Sequence, residues 1–150
     1  MKGFSTIEIV VTSIILFLLI IIAARYYFIN VEYAKLAVFT ENLRFIKMAS
    51  EKFYIDKSKF PDTILDLFTD PYKDYLPRQF ASNFIYSPWN TEIHLKSFYL
   101  NNMSLLYLYL ELRRKNNGIP KFIEKKMEEN QYFRGYFKEY IVFLVSFVYR

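Results

Sequence analysis

The first part of the chain is an almost uninterrupted apolar run. From Phe4 to Ala24 the only ionisable side chain is Glu8. A helix needs about 20 mainly apolar residues to cross the hydrocarbon core of a bilayer. This segment therefore predicts a membrane-spanning helix, and the residues that follow it, Arg25, Tyr26 and Tyr27, are typical of a membrane interface.

An ordinary cleaved signal peptide is the first alternative for the same segment. Such a signal has a core of about 7–15 apolar residues followed by a small-residue cleavage site. Here the core is longer, and Ala23 and Ala24 are followed at once by bulky residues. The pattern favours a retained helix.

The helical pattern continues beyond the membrane segment. Residues 30–56 contain no Gly and no Pro, and Pro61 disfavours helix at Phe60. Apolar positions recur at steps of three and four residues, which predicts one buried face of an amphipathic helix. The residues of that face are Leu36, Phe39, Leu43, Ile46, Ala49 and Phe53. We therefore expect one long helix whose second half carries a small domain.

The remaining pattern predicts short helices and a small antiparallel sheet. Apolar and polar residues alternate over 91–100 and 104–112, and Asn101-Asn102 between them suits a tight turn. The apolar segment 139–150 is too short for a second span and predicts a central strand buried on both faces. Short helices are expected over 64–68 and 121–129. The leucine face of the second strand, expected to cover the helix, comprises Leu106, Leu108, Leu110 and Leu112.

Composition adds few constraints. The absence of cysteine excludes disulfides and thiolate metal sites. The net charge of +5 is spread along the soluble part, which favours a solvated surface over a nucleic-acid site. The alternative DNA-contacting patch would consist of Arg113, Arg114, Lys115, Lys121, Lys125 and Lys126.

Catalytic and metal-binding patterns are missing from the sequence. It contains no phosphate-binding glycine loop, no G-x-S-x-G and no H-E-x-x-H. The single histidine, His94, is predicted on the polar face of a strand, and the adjacent Glu128 and Glu129 suit a solvated helix. We therefore expect neither an enzyme nor a cofactor or metal site.

The N-terminal motif K-G-F-S-T-I-E, residues 2–8, resembles the class III signal and first helix of type IV pilins and type II secretion pseudopilins. The resemblance implies that a prepilin peptidase cuts after Gly3 and methylates Phe4. It also implies that Glu8 pairs with the new amino terminus of a neighbouring subunit during assembly. The implied architecture is an α+β type IV pilin fold, with a leader over 1–3, a helix over 4–57 and a globular head over 58–150.

A looser resemblance covers the head. The stretch F-P-D-T-I-L-D-L and the later S-P-W-N turn are similar to the pseudopilin pattern, although Ser87 replaces the usual Asp and Asn90 the usual Gly. Calcium-binding pseudopilins have an acidic loop downstream that this chain lacks, so no calcium site is expected.

The resemblance implies a filament subunit in the bacterial inner membrane, with its N-terminus inside and its C-terminus outside. Its implied partners are other pilin or pseudopilin subunits, the prepilin peptidase, the inner-membrane assembly platform and membrane lipid. The apolar helix lacks the Gly and Pro of major pilins, which favours a minor subunit.

Two alternatives remain open at this point. The chain could be a single-pass anchored binding module that never polymerises, or a minor pilin of DNA uptake. Glu8 could also be a chance residue at a helix start, where the helix dipole favours a carboxylate.

Overall fold

The computed structural model of the chain describes residues 5–68, 74–77, 84–100, 103–111, 119–137 and 140–149. It contains two compact units, the first ending at Ala34 and the second beginning at Lys35. The helices are α1 (Thr6–Lys57) and α2 (Lys121–Glu128), with a 3₁₀ turn at Ile64–Leu67. The strands are β1 (Ile93–Leu100), β2 (Met103–Glu111), β3 (Phe133–Phe137) and β4 (Tyr140–Tyr149).

Helix α1 runs without interruption from Thr6 to Lys57, as the sequence predicts for a chain segment without Gly or Pro. Ser58 ends it by adopting a left-handed backbone with φ of 56°. The Ser58 N–H still donates to the carbonyl of Tyr54 at 2.7 Å, which satisfies one of the last carbonyls of the helix. The end lies just before the predicted stop at Phe60.

The second half of α1 supplies one side of the hydrophobic core in the second unit. The predicted apolar face is confirmed, because Phe39, Leu43 and Ile46 are at most 1% exposed. The Phe39 ring lies 5.5 Å from that of Phe143 and 5.9 Å from that of Trp89, in edge-to-face contacts. The helix face therefore packs against residues of both the sheet and a connecting loop.

The other side of the core is a four-stranded antiparallel sheet in the order β1-β2-β4-β3. Leu108 of β2 lies opposite Leu95 of β1 and Phe143 of β4, so leucines occupy the middle of the sheet. Leu106, Leu108 and Leu110 are completely buried, which confirms these three positions of the predicted leucine face; the fourth, Leu112, lies outside the described residues. The layout is α+β, with a long helix packed against a small sheet.

The structure corrects the prediction for the last strand. β4 is central, as expected, because it pairs with β2 on one side and β3 on the other. Only one of its faces is fully buried, however: Ile141 and Phe143 are 0% exposed, whereas Val142 and Leu144 on the other face are only half-buried. The prediction of two buried faces was wrong because the residues of the outer face are apolar as well, and the sequence pattern does not distinguish them from buried ones.

β3 has no counterpart among the predicted elements. Its pairing with β4 shifts between Phe133 and Gly135, which leaves Arg134 as an extra, bulged residue. Gly135 has φ of 139°, a conformation that side chains rarely adopt. The bulge breaks the two-residue period, so no alternating pattern is visible in F-R-G-Y-F.

Ser87 and Asn90 both suit the turn at Ser87–Asn90 in which they lie. Asn90 has φ of 57°, which asparagine tolerates better than most residues and glycine adopts freely. The buried Ser87 hydroxyl accepts from the N–H groups of Trp89 and Thr91, both at 3.3 Å. The turn thus holds Trp89 against Phe39 of α1.

Candidate functional site

Glu8 lies in the first turn of α1 and bonds back to Ser5. The Ser5 N–H donates to Glu8 Oε2 at 2.7 Å, and the Glu8 N–H donates to Ser5 Oγ at 3.3 Å. This reciprocal pair is a capping box, which satisfies two backbone donors at the helix start. The carboxylate therefore has a local structural role within a single chain.

Sequence reasoning missed Ser5. The signal was present, because S-T-I-E at 5–8 matches the S-x-x-E form of a capping box before an apolar run. Gly3 and Phe4, the predicted processing residues, lie outside the described residues. Their roles stay predictions from the sequence motif.

The capping box uses only one of the two carboxylate oxygens of Glu8. Within the described part of the chain, Oε1 accepts no hydrogen bond, and the side chain is exposed. A carboxylate has about four acceptor positions, so a further donor can be added without breaking the bond from Ser5. Glu8 can therefore cap its own helix and bind a cation at the same time.

Among the described residues of its own unit, the helix around Glu8 has no apolar partner. Every residue from Ser5 to Phe28 is exposed, and Ile7, Phe17 and Ile20 are 64–76% exposed. The hydroxyl of Ser13 donates to the Ile9 carbonyl at 2.8 Å, so it needs no water. One helix, Thr6–Lys57, is long and apolar enough to cross a membrane.

His94 takes the surface position predicted for it on the outer side of β1. Its side chain is 47% exposed, and Nε2 lies 3.6 Å from the Glu92 carboxylate. Across the described ranges, no group of three or more His, Cys, Asp or Glu residues is placed to hold a metal ion.

The predicted basic patch is only partly described. Arg113, Arg114 and Lys115 lie outside the described residues. On α2, Lys121 and Lys125 are exposed, while Lys126 forms an ion pair with Glu129.

The neighbouring Glu128 was predicted to be simply solvated, but it accepts a hydrogen bond from the Tyr136 hydroxyl at 2.9 Å. Burial, together with this bond and the nearby carboxylates, raises the pKa of Tyr136 to about 12. The contact joins α2 to β3. It serves the packing of the head and has no evident link to Glu8.

Comparison of the chain with protein-family models, with curated proteins and with solved structures found no match. The resemblance to pilins therefore depends on the residues of this chain alone: the motif at 2–8, the apolar helix and Glu8.

Proposed function

We propose that the chain is a structural subunit, present in few copies, of a type IV pilus or a type II secretion pseudopilus. It would assemble through α1 after a prepilin peptidase removes residues 1–3. The observation that carries the proposal is the position of Glu8, an acidic side chain at the start of an exposed apolar helix. Ionisable residues in such surroundings are costly and usually have a function.

The capping box makes the proposed membrane state of the single subunit reasonable. Insertion scales place the cost of a charged residue at the centre of a membrane helix at about 2.5–3.5 kcal/mol. The hydrogen bond from Ser5 to Oε2 and the positive end of the helix dipole both offset part of that cost. The single subunit can then remain inserted in the membrane until it assembles.

Assembly would use the other carboxylate oxygen. Cleavage after Gly3 turns Phe4 into the new N-terminal residue, whose amine is a cation that can donate to Glu8 Oε1 of an adjacent subunit. A charge-assisted hydrogen bond of this kind is stronger than a neutral one and has a defined geometry. It would fix the register of neighbouring helices while their apolar surfaces pack together.

A second candidate function is a membrane-anchored binding module that never polymerises. The capping box favours it, because Ser5 gives Glu8 a structural role that requires no neighbour. DNA uptake by a minor pilin is the less favoured variant of the first proposal, since the net charge of +5 is spread along the chain and Lys126 is paired with Glu129.

The intact mass of the membrane-extracted chain separates these candidates. A filament subunit should lose Met1, Lys2 and Gly3 and gain one methyl group on Phe4. A Gly3→Leu variant should keep the leader, because it replaces the glycine after which the peptidase cuts in the family that the motif resembles. An uncut, unmethylated wild-type chain in cells that process other pilins would contradict the proposal.

A further inference from the structure

The outer face of the sheet, opposite α1, carries a groove with a volume of about 680 Å³. We call it the outer groove; it is lined chiefly by His94, Lys96, Phe98, Tyr109, Phe137 and Tyr140. Ligand pockets typically measure about 300–1,000 Å³ and combine apolar walls with a few polar groups. The outer groove has both properties, and no part of the proposed assembly through α1 uses it.

Aromatic rings on three strands form the floor of this groove. Phe98 of β1 lies 5.8 Å from Tyr107 of β2, and Tyr109 of β2 lies 6.3 Å from Tyr140 of β4, measured between ring centres. Tyr107 and Tyr109 are themselves 6.5 Å apart and join the two pairs into one file. Alternate residues of a strand point to the same face, so the register of the sheet fixes this file.

The rings remain accessible although they are large and apolar. Phe98 is 39% exposed and Phe137 is 58% exposed, while the opposite sheet face is fully buried at Leu106 and Leu108. Aromatic side chains contribute strongly to binding because they bury a large area with little loss of side-chain freedom. Phe98 meets Tyr107, and Tyr109 meets Tyr140, edge to face, with interplanar angles of 78° and 89°. An aromatic molecule lying along the file would make the same edge-to-face contacts and remove much of this surface from water.

Among the described residues that line the groove, Lys96 carries the permanent positive charge. Lys96 Nζ lies 5.7 Å from the centre of the Phe98 ring. Among the described residues no carboxylate lies within ion-pair distance of Lys96, whereas His94 already faces Glu92 at 3.6 Å. Lys96 therefore gives the described part of the groove a positive charge that complements an anion beside an apolar body.

Tyr109 adds a hydrogen-bond donor to the same surface. Burial raises the pKa of its hydroxyl above the ordinary value, and Tyr107 adds to that shift. The hydroxyl stays protonated at neutral pH and can donate to an anion.

We propose that the outer groove binds a flat aromatic or conjugated molecule that carries one anionic group. The rings of Phe98 and Tyr109 would contact the flat body, and Lys96 would bind the anion. A second copy of the chain is a poorer occupant, because a symmetric contact through this groove would bring the Lys96 side chains of the two copies together.

The test uses the full chain in nanodiscs of zwitterionic lipid, with empty nanodiscs as the blank. Two probes of matched shape are titrated by calorimetry: 2-naphthalenesulfonate, which is anionic, and 2-naphthalenemethanol, which is neutral. We expect saturable, one-site binding of the anionic probe and weaker binding of the neutral one. Lys96→Met should weaken binding of the anionic probe by about fivefold and leave binding of the neutral probe unchanged.

Two further variants locate the site. Phe98→Ala should abolish binding of both probes, while Lys52→Met, at an exposed lysine of α1 outside the groove, should change neither. Trp89 fluorescence checks that each variant is folded. The proposal is overturned if neither probe binds above the blank, or if Phe98→Ala binds as the wild type does. It is also overturned if the chain forms dimers that Phe98→Ala dissociates.

Discussion

The contact between α1 and the sheet makes a prediction that the structure allows us to quantify. Ile46 lies on the core face of the helix and is completely buried. Replacing it by Ala removes three carbon atoms, which corresponds to about 2.4 kcal/mol of lost transfer free energy at about 0.8 kcal/mol per carbon. The cavity left behind adds to this, and measured Ile→Ala losses in cores fall at about 2–5 kcal/mol.

Trp89 provides the measurement. It is the only tryptophan of the chain, is 6% exposed and contacts Phe39 of the same helix face. Urea unfolding of the full chain in detergent, followed by Trp89 fluorescence, should show a fall of about 2–5 kcal/mol in the unfolding free energy for Ile46→Ala. That fall would be a large share of an ordinary domain stability of about 5–15 kcal/mol.

Met48 offers the matched control on the same helix. Its side chain is 47% exposed, so Met48→Ala should change the unfolding free energy by less than about 1 kcal/mol. Equal losses for the two variants would refute the assignment of the core face. An Ile46→Ala variant as stable as the wild type would do the same.

Three smaller predictions concern polar groups of the head. Ser104 Oγ is buried and has no hydrogen-bond partner among the described residues. Ser104→Ala should therefore leave the free energy of unfolding, measured in urea, unchanged or raise it by up to about 1 kcal/mol, and a lower free energy would contradict this. Ser87→Ala removes the acceptor for two N–H groups of the buried turn and should cost about 1–3 kcal/mol by the same assay, whereas an unchanged midpoint would show that the turn holds without it. Burial and the bond to Glu128 raise the pKa of Tyr136 from 10.0 to about 12. The stability that the neutral Tyr136 hydroxyl contributes is therefore present below pH 10.0 and is lost as the pH rises towards about 12. Thermal midpoints of wild type and Tyr136→Phe should therefore differ near neutral pH and converge in that alkaline range, and a difference that stays constant would refute the link.

The main elements of the fold followed from sequence because their patterns are long and regular. The apolar face from Phe39 to Phe53 keeps a helical period over several turns, and β2 alternates between leucine and tyrosine from Leu106 to Leu110. The shorter β3 was missed, because the bulge at Arg134 and the glycine that follows remove the alternation. The prediction that both faces of β4 are buried was also wrong, since apolar residues on an exposed sheet face give the same sequence pattern as buried ones.

The candidate site was predicted only in part. Glu8 stood out because it is acidic within an apolar segment, but its bond to Ser5 depends on local geometry at the helix start. The outer groove was not predicted at all. Its floor combines Phe98, Tyr109 and Tyr140 from three strands, and only the pairing register brings these residues together.

The capping box also makes a sharper test of Glu8 available. Gln serves in a capping box as well as Glu does, so Glu8→Gln keeps the bond to Ser5 while removing the negative charge. Ser5→Ala does the opposite: it removes the hydroxyl that accepts from the Glu8 N–H and leaves the carboxylate in place. The two variants separate local capping from pairing between subunits.

The most direct measurement is the amount of each variant recovered in sheared, sedimented filaments, relative to the amount processed in the membrane. If the Glu8 carboxylate binds the amino terminus of a neighbouring subunit, Glu8→Gln should be processed normally yet be missing from filaments, while Ser5→Ala is incorporated. Incorporation of Glu8→Gln at the wild-type level would contradict the account and leave Glu8 as a helix cap of an anchored domain.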